Sequence, residues 1–134
     1  MSEQKNAEPV RKLYSSFLEG DIEGAIDQFS EDAVLQFHFP DGALPHPNRY
    51  EGHRGLREFF DVIDKYYEVE AFENREYIVQ DDLVVAICWE RTKVKSTGKV
   101  IELDIVHIHE VRDGKIVKMR GFEDTYTVAN AHKS

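Results

Sequence analysis

His107 and His109 stand two residues apart in Ile101–Val111, a segment whose other odd positions are Ile101, Leu103, Ile105 and Val111. Period-two alternation marks a strand with one buried face. An apolar row takes up ionisable groups when part of its face lines a cavity. Two neighbouring segments behave alike. The odd positions of Leu83–Lys93 run Leu83, Val85, Ile87, Trp89, Arg91, and those of Lys115–Glu123 include Val117, Met119, Gly121 and Glu123. An imidazole donates a hydrogen bond or moves a proton near neutral pH. An inward glutamic acid has a raised pKa and serves as acid or base. A guanidinium steadies a developing oxyanion. His107, Glu123 and Arg91 are therefore the expected catalytic groups, with Trp89, Met119 and His109 as pocket contacts. A metal held by His107, His109 and Glu123 is chemically possible, but an i, i+2 histidine pair without a third histidine is weak evidence for it, and no metal is expected.

Glu123 depends on register. If Arg112-Asp113-Gly114 forms a three-residue loop with a bulge at Gly114, Met119 and Glu123 point inward. If Asp113-Gly114 is a two-residue turn, Arg120 and Phe122 point inward instead.

The elements that position these groups follow from periodicity. Val10, Leu13, Tyr14, Phe17 and Leu18 form one helical stripe, which places Tyr14 on an inner face. Gly20 stops that helix and Asp21 caps a second one carrying Ile22, Ala25, Ile26 and Phe29. Ala33–Phe39 reads as a short strand. Pro40, Pro45 and Pro47 enforce a loop over the pocket mouth, from which Asp41 and His46 can reach a ligand. Leu56, Phe59, Phe60 and Ile63 mark a third helix. Four strands follow, Val69–Val79, Leu83–Val94, Val100–Val111 and Lys115–Asp124, joined by links short enough to force antiparallel hairpins. The expected fold is α+β, a cone-shaped barrel of three N-terminal helices packed in a strongly curved, mainly antiparallel sheet.

At 134 residues the chain is expected to be one domain, 1–134. Its net charge of −9, with no basic cluster, disfavours nucleic acid and repels anionic substrates. A single cysteine, Cys88, excludes an internal disulfide and reads as a small buried hydrophobe. No apolar run is long enough for a bilayer and the N-terminus does not read as a secretory signal, so no membrane partner and a cytoplasmic setting are expected. The even rows Val84, Ala86, Cys88 and Val106, Ile108 are also apolar, which predicts a homodimer through the outer sheet face.

Four strings carry a family resemblance. They are Leu18-Glu19-Gly20-Asp21-Ile22-Glu23-Gly24-Ala25, Phe29-Ser30-Glu31-Asp32-Ala33-Val34, the stretch Tyr50 to Phe60, and Val111-Arg112-Asp113-Gly114-Lys115-Ile116-Val117. In this order they are similar to nuclear transport factor 2-like domains, most of all the SnoaL-like polyketide cyclase and ketosteroid isomerase branch, over roughly Glu8 to Ala131. The resemblance implies a cone-shaped barrel, a pocket between helices and sheet, no cofactor, and frequent homodimers. It does not imply one activity. It sets His107 where ketosteroid isomerases have their oxyanion-stabilising acid. Leu13, next to Tyr14, falls at their catalytic tyrosine, and Phe37, next to His38, at their base. These departures argue against steroid isomerisation. Arg91 resembles the arginine of limonene epoxide hydrolases, but Lys93 stands where a strand-mate acid is wanted.

The functional expectation is a small cofactor-free enzyme doing acid–base chemistry, of isomerase, cyclase or dehydratase type, on a compact, largely apolar molecule. Tyr14, His38, Asp41 and Phe60 join the expected pocket contacts. The alternative is a non-catalytic ligand-binding or dimerisation domain on the same fold.

Overall fold

A computed structural model describes residues 3–134. Helix α1 (Glu3–Leu18) buries Val10, Leu13 and Tyr14, as its stripe requires. Leu18, at the end of that stripe, is 55 % exposed. Gly20 takes a left-handed φ of 80° after α1, and Asp21 caps α2 (Ile22–Ile26) by accepting the Gly24 N–H. Strand β1 (Phe29–Gln36) starts earlier than its alternation suggests, because Phe29 ends the helical stripe and opens the strand. The proline loop then leads to β2 (Arg49–Glu51) and α3 (Gly52–Tyr66). Strands β3 (Tyr67–Gln80), β4 (Leu83–Val94), β5 (Val100–Arg112) and β6 (Lys115–Phe122) follow.

The six strands form one curved sheet in the order β2-β1-β6-β5-β4-β3. All neighbours are antiparallel except β1 and β6. Helices α1 and α3 pack on its inner face, giving the expected α+β cone. A fourth helix, α4 (Thr125–Ala131), was not expected. Asp124 caps it through the Thr127 N–H, and Val128 packs into the core. Asp124 followed three residues later by Thr127 was its only sequence signal. Among the described residues no helix is long and apolar enough to cross a membrane.

Two registers decide which side chains face inward. Val94 N–H donates to Lys99 O to close the β4–β5 hairpin, which leaves four residues, Lys95 to Gly98, in the loop, and Lys93 pairs with Val100. A loop with an even number of residues pairs odd positions with even ones. The β4 residues that share a face with His107 are therefore Val84, Ala86, Cys88, Glu90 and Thr92, not the odd row. Val84, Ala86 and Cys88 are fully buried inside. Trp89 and Arg91 lie on the outer face, where Trp89 sits between the Arg75 and Arg91 guanidinia and Arg91 pairs with Glu70 at 3.3 Å. This corrects the expectation that Trp89 and Arg91 line the pocket, and the expectation that Val84, Ala86 and Cys88 face outward.

The second register combines features of both alternatives. Asp113 and Gly114 form a two-residue turn at φ 50° and 76°, with Arg112 opposite Lys115. One residue, Val117, then bulges out of the ladder between Ile116 and Lys118. The bulge restores the parity that the turn alone would reverse. His109 pairs with Met119 and His107 with Gly121, so Met119 and Glu123 face inward.

Gly121 is buried, and a Cβ there would meet the Phe37 ring at 2.5 Å. That ring is stacked on Phe59 and has little room to move. Gly121→Ala should lower the unfolding free energy by roughly 1–3 kcal/mol in urea denaturation. An unchanged midpoint would mean that Phe37 is not held as described.

Candidate active site

The inner face of the sheet, α1, α3 and the proline loop enclose a cavity of about 140 Å³. A cavity of about 150 Å³ holds benzene, so this one fits a single ring. Most of its wall is apolar, from residues such as Leu35, Phe60, Phe72, Ile105 and Met119. Groups with titratable or hydrogen-bonding ends interrupt it from several elements, among them Tyr14, His46, Tyr50, Tyr67, Glu90, His107 and Glu123.

At one end, the Tyr14 hydroxyl lies 2.7 Å from His107 Nδ1 and 2.8 Å from His109 Nε2. Tyr14 and His107 stack with planes 5° apart. A phenol has one proton, so it donates to one ring nitrogen and accepts from an N–H on the other. His109 Nδ1 has no partner and is fully buried. An orphaned N–H is the rarer defect in folded proteins, which assigns the proton of His109 to Nε2. His109 then donates to Tyr14, Tyr14 donates to His107 Nδ1, and His107 carries its own proton on Nε2, free of the chain's network. Burial lowers the His107 pKa to about 4 and holds His109 well below its ordinary value, so both rings are neutral at pH 7. Burial likewise raises the Tyr14 phenol.

A second tyrosine bridges two histidines elsewhere on the wall. Tyr67, at the start of β3, sits 2.7 Å from His46 Nε2 in the proline loop and 2.8 Å from His132 Nε2 at the end of α4. The loop is thus tied down by His46, and burial lowers the pKa of His46 and of His132.

Glu90 and Glu123 complete the wall. Burial lifts Glu90 to about 7, and burial together with the nearby Glu90 charge lifts Glu123 to about 8. Among the described residues neither has a hydrogen-bond or ion-pair partner, and no lysine or arginine lines the cavity.

His107, Glu123, Tyr14, Met119 and Phe60 line the cavity as expected. His109 lies behind Tyr14, away from the cavity surface. His38 alternates outward from Phe37 and stacks on Phe122 at 4.4 Å. Asp41 is solvated at the tip of the loop, in the turn where Ala43 donates to Pro40. Tyr14 screens His109 from the cavity, alternation turns His38 outward, and loop exposure leaves Asp41 in solvent. Cys88 is buried with Asn74 donating to its Sγ, and burial raises its thiol pKa, so it is no nucleophile. Among the described residues no three metal-ligating side chains converge. Glu90, Tyr67 and His132 were missed. Glu90 had a signal: the even row Val84, Ala86, Cys88, Glu90 turns polar just as the odd row does.

A family model described as a SnoaL-like domain matches residues 10–119. The chain belongs to the SnoaL-like domain family. This SnoaL-like domain is 26% identical, over 131 residues, to the uncharacterized protein YesE of Bacillus subtilis, covering 96% of this chain and 87% of that one. An NTF2-like protein from Burkholderia xenovorans superposes with a TM-score of 0.87 at 25% identity, covering 99% of each chain. A Bacillus subtilis protein given the provisional name isomerase superposes at 0.82 with 27% identity, over 98% and 95% of the two chains. TerC, crystallised with polyporic acid, superposes at 0.80 with 28% identity, over 97% and 99%. The fold is that of a family of small enzyme-type domains.

The raised carboxyls give stability a definite pH dependence. Native Glu90 and Glu123 hold protons that the unfolded chain releases near pH 4.5, so their contribution is present at low pH and lost as pH rises through 7 and 8. The lowered histidines act oppositely, losing their contribution as pH falls below 6.5. Between pH 6.5 and 8 the carboxyls lose more than the histidines still regain. The unfolding free energy should therefore fall by about 2 kcal/mol between pH 6.5 and 8. The double variant Glu90→Gln/Glu123→Gln should flatten that slope in urea titrations. A slope unchanged in the variant would place the effect elsewhere.

Proposed function

We propose that this SnoaL-like domain is a small enzyme doing acid–base chemistry, of isomerase, cyclase or dehydratase type, on a compact, largely apolar molecule. The observation that carries this reading is the pair of unpartnered carboxyls, Glu90 and Glu123, in a single-ring cavity that also holds the neutral His107. Catalytic acids and bases need pKa values near the working pH. The carboxyl pair meets that need, with one member ionised as base and the other protonated as acid. His107, lowered to about 4, is a poor proton carrier at neutral pH. Its Nε2–H instead steadies a developing oxyanion. The reaction is removal of a proton beside a carbonyl, charge build-up on the oxygen against His107, and return of a proton elsewhere on the ring. Arg91 has no part in it, being on the outer face. Relatives named isomerase and crystallised with polyporic acid agree with an enzyme of small molecules. The net charge of −9 favours such a ligand over nucleic acid.

Solvent exchange tests the reading without knowledge of the substrate. Single-ring ketones such as cyclohex-2-enone, incubated with the protein in deuterium oxide, should lose their α-proton NMR signals faster than in buffer. Glu123→Gln should lower the protein-dependent rate by about 100-fold or more. Exchange at the buffer rate across a panel of such ketones would leave the non-catalytic ligand-binding domain as the better reading.

The outer face supports a second proposal, a homodimer. Val85 pairs with Ile108 and Ile87 with Val106 there, beside Ile78 at 49 % exposed. An apolar stripe of this kind on a sheet's outer face is ordinarily covered. Sedimentation at micromolar concentration should give a dimer, with roughly 1,000 Å² or more buried, and Ile87→Glu should give monomer. A monomeric parent protein would remove the proposal.

A further inference from the structure

Two carboxyls enter the cavity, and among the described residues no cationic side chain lines it to balance them. Glu90 enters from β4 and Glu123 from the end of β6, on either side of β5. No lysine or arginine lines the wall. The titratable neighbours are neutral groups: His46 and His107 are pushed toward the unprotonated form, and Tyr67 is pushed up by burial and by the two carboxylates. A buried carboxylate without a partner is strongly disfavoured. A chain that needed only apolar binding would place apolar residues at both positions.

Three further observations describe what would complete the site. Phe37, Phe59, Phe60, Phe72 and Tyr67 line the same cavity as the carboxyls, and aromatic faces attract cations. Tyr50 lines the same cavity, is 3% exposed, and its hydroxyl has no hydrogen-bond partner. The whole chain carries −9, which draws cations toward it and repels anions.

We infer that the ligand of this cavity is a compact ring bearing one basic nitrogen, bound as its ammonium between Glu90, Glu123 and the aromatic wall. This rests on the proposed reading that the cavity is the ligand site, and names the class of ligand. One cation matches one ionised carboxyl. The second carboxyl keeps its proton and remains free for proton transfer. The ammonium N–H groups face the two carboxyls, while an oxygen elsewhere on the ring meets the His107 Nε2–H. Tyr50 supplies an additional acceptor or donor at the wall.

Three probes of nearly equal size separate charge from shape: benzylamine, benzyl alcohol and benzoate. Each is titrated into the full chain at pH 7 and followed by amide chemical shifts and calorimetry. Benzylamine should bind at least 10-fold more tightly than benzyl alcohol, and benzoate most weakly. In Glu90→Gln/Glu123→Gln the preference for benzylamine over benzyl alcohol should shrink to 2-fold or less. Because the double variant removes a buried charge conflict, its fold is checked by the same amide spectrum. If benzyl alcohol binds as well as benzylamine, or the amine preference survives in the double variant, the cation inference fails and the cavity reading stands. If none of the three perturbs cavity residues, both fail.

Discussion

The pairing of Lys93 with Val100 governs the interior of this protein. The four-residue loop that the Val94–Lys99 hydrogen bond closes sets odd positions of one strand opposite even positions of the other. Every side chain of β4 is thereby assigned a face. Small residues, Val84, Ala86 and Cys88, go onto the fully buried face that carries the histidines and packs against α1. Glu90 goes into the cavity and Arg91 outside. A shift of one residue would reverse this, setting an arginine against the wall and a tryptophan in the narrowest layer. The Val117 bulge does the complementary task on the other side of β5, keeping Met119 and Glu123 inward after a turn that would turn them out.

Within that frame the chain meets the difficulty of buried polar groups twice in the same way. Tyr14 joins His107 to His109, and Tyr67 joins His46 to His132. Each phenol donates once and accepts once, and so satisfies two neutral imidazoles with a single proton. The arrangement depends on the rings staying neutral. Burial ensures this, because an imidazolium in either place would lose most of its hydration. The first bridge orients His107 toward the ligand space. The second ties the proline loop and the C-terminal helix to the start of β3, joining segments far apart in the chain around one end of the cavity.

Glu90 and Glu123 received no such partner. Their desolvation reduces their tendency to ionise and leaves them able to take or give protons near neutral pH. A cavity whose histidines are each held by a tyrosine and whose carboxyls are not is divided between groups held in place and groups left free to react or bind. The Tyr50 hydroxyl belongs with the second set.

The helices, the strands and the cone were legible in the chain alone, because period-3.6 and period-2 patterns, Gly20, Asp21 and the Asp113-Gly114 turn are local features. His107, Tyr14 and Phe60 were legible as inward residues for the same reason, each lying on a stripe or row of its own element, whereas Met119 and Glu123 depended on the register of the last hairpin. What lay beyond reach was the relation between rows. Trp89 and Arg91 looked as suitable as Glu90 until β4 was set against β5, since both rows of β4 are apolar at one end and polar at the other. His109 could not be told from a ligand contact without the helix that brings Tyr14 between it and the cavity. Tyr67, His46 and His132 are separated by tens of residues and meet only when the loop and the last helix close on β3. Local propensity specifies elements and their faces. Which faces meet, and so which polar groups find partners and which are left for a ligand, is decided by register and packing across the whole sheet.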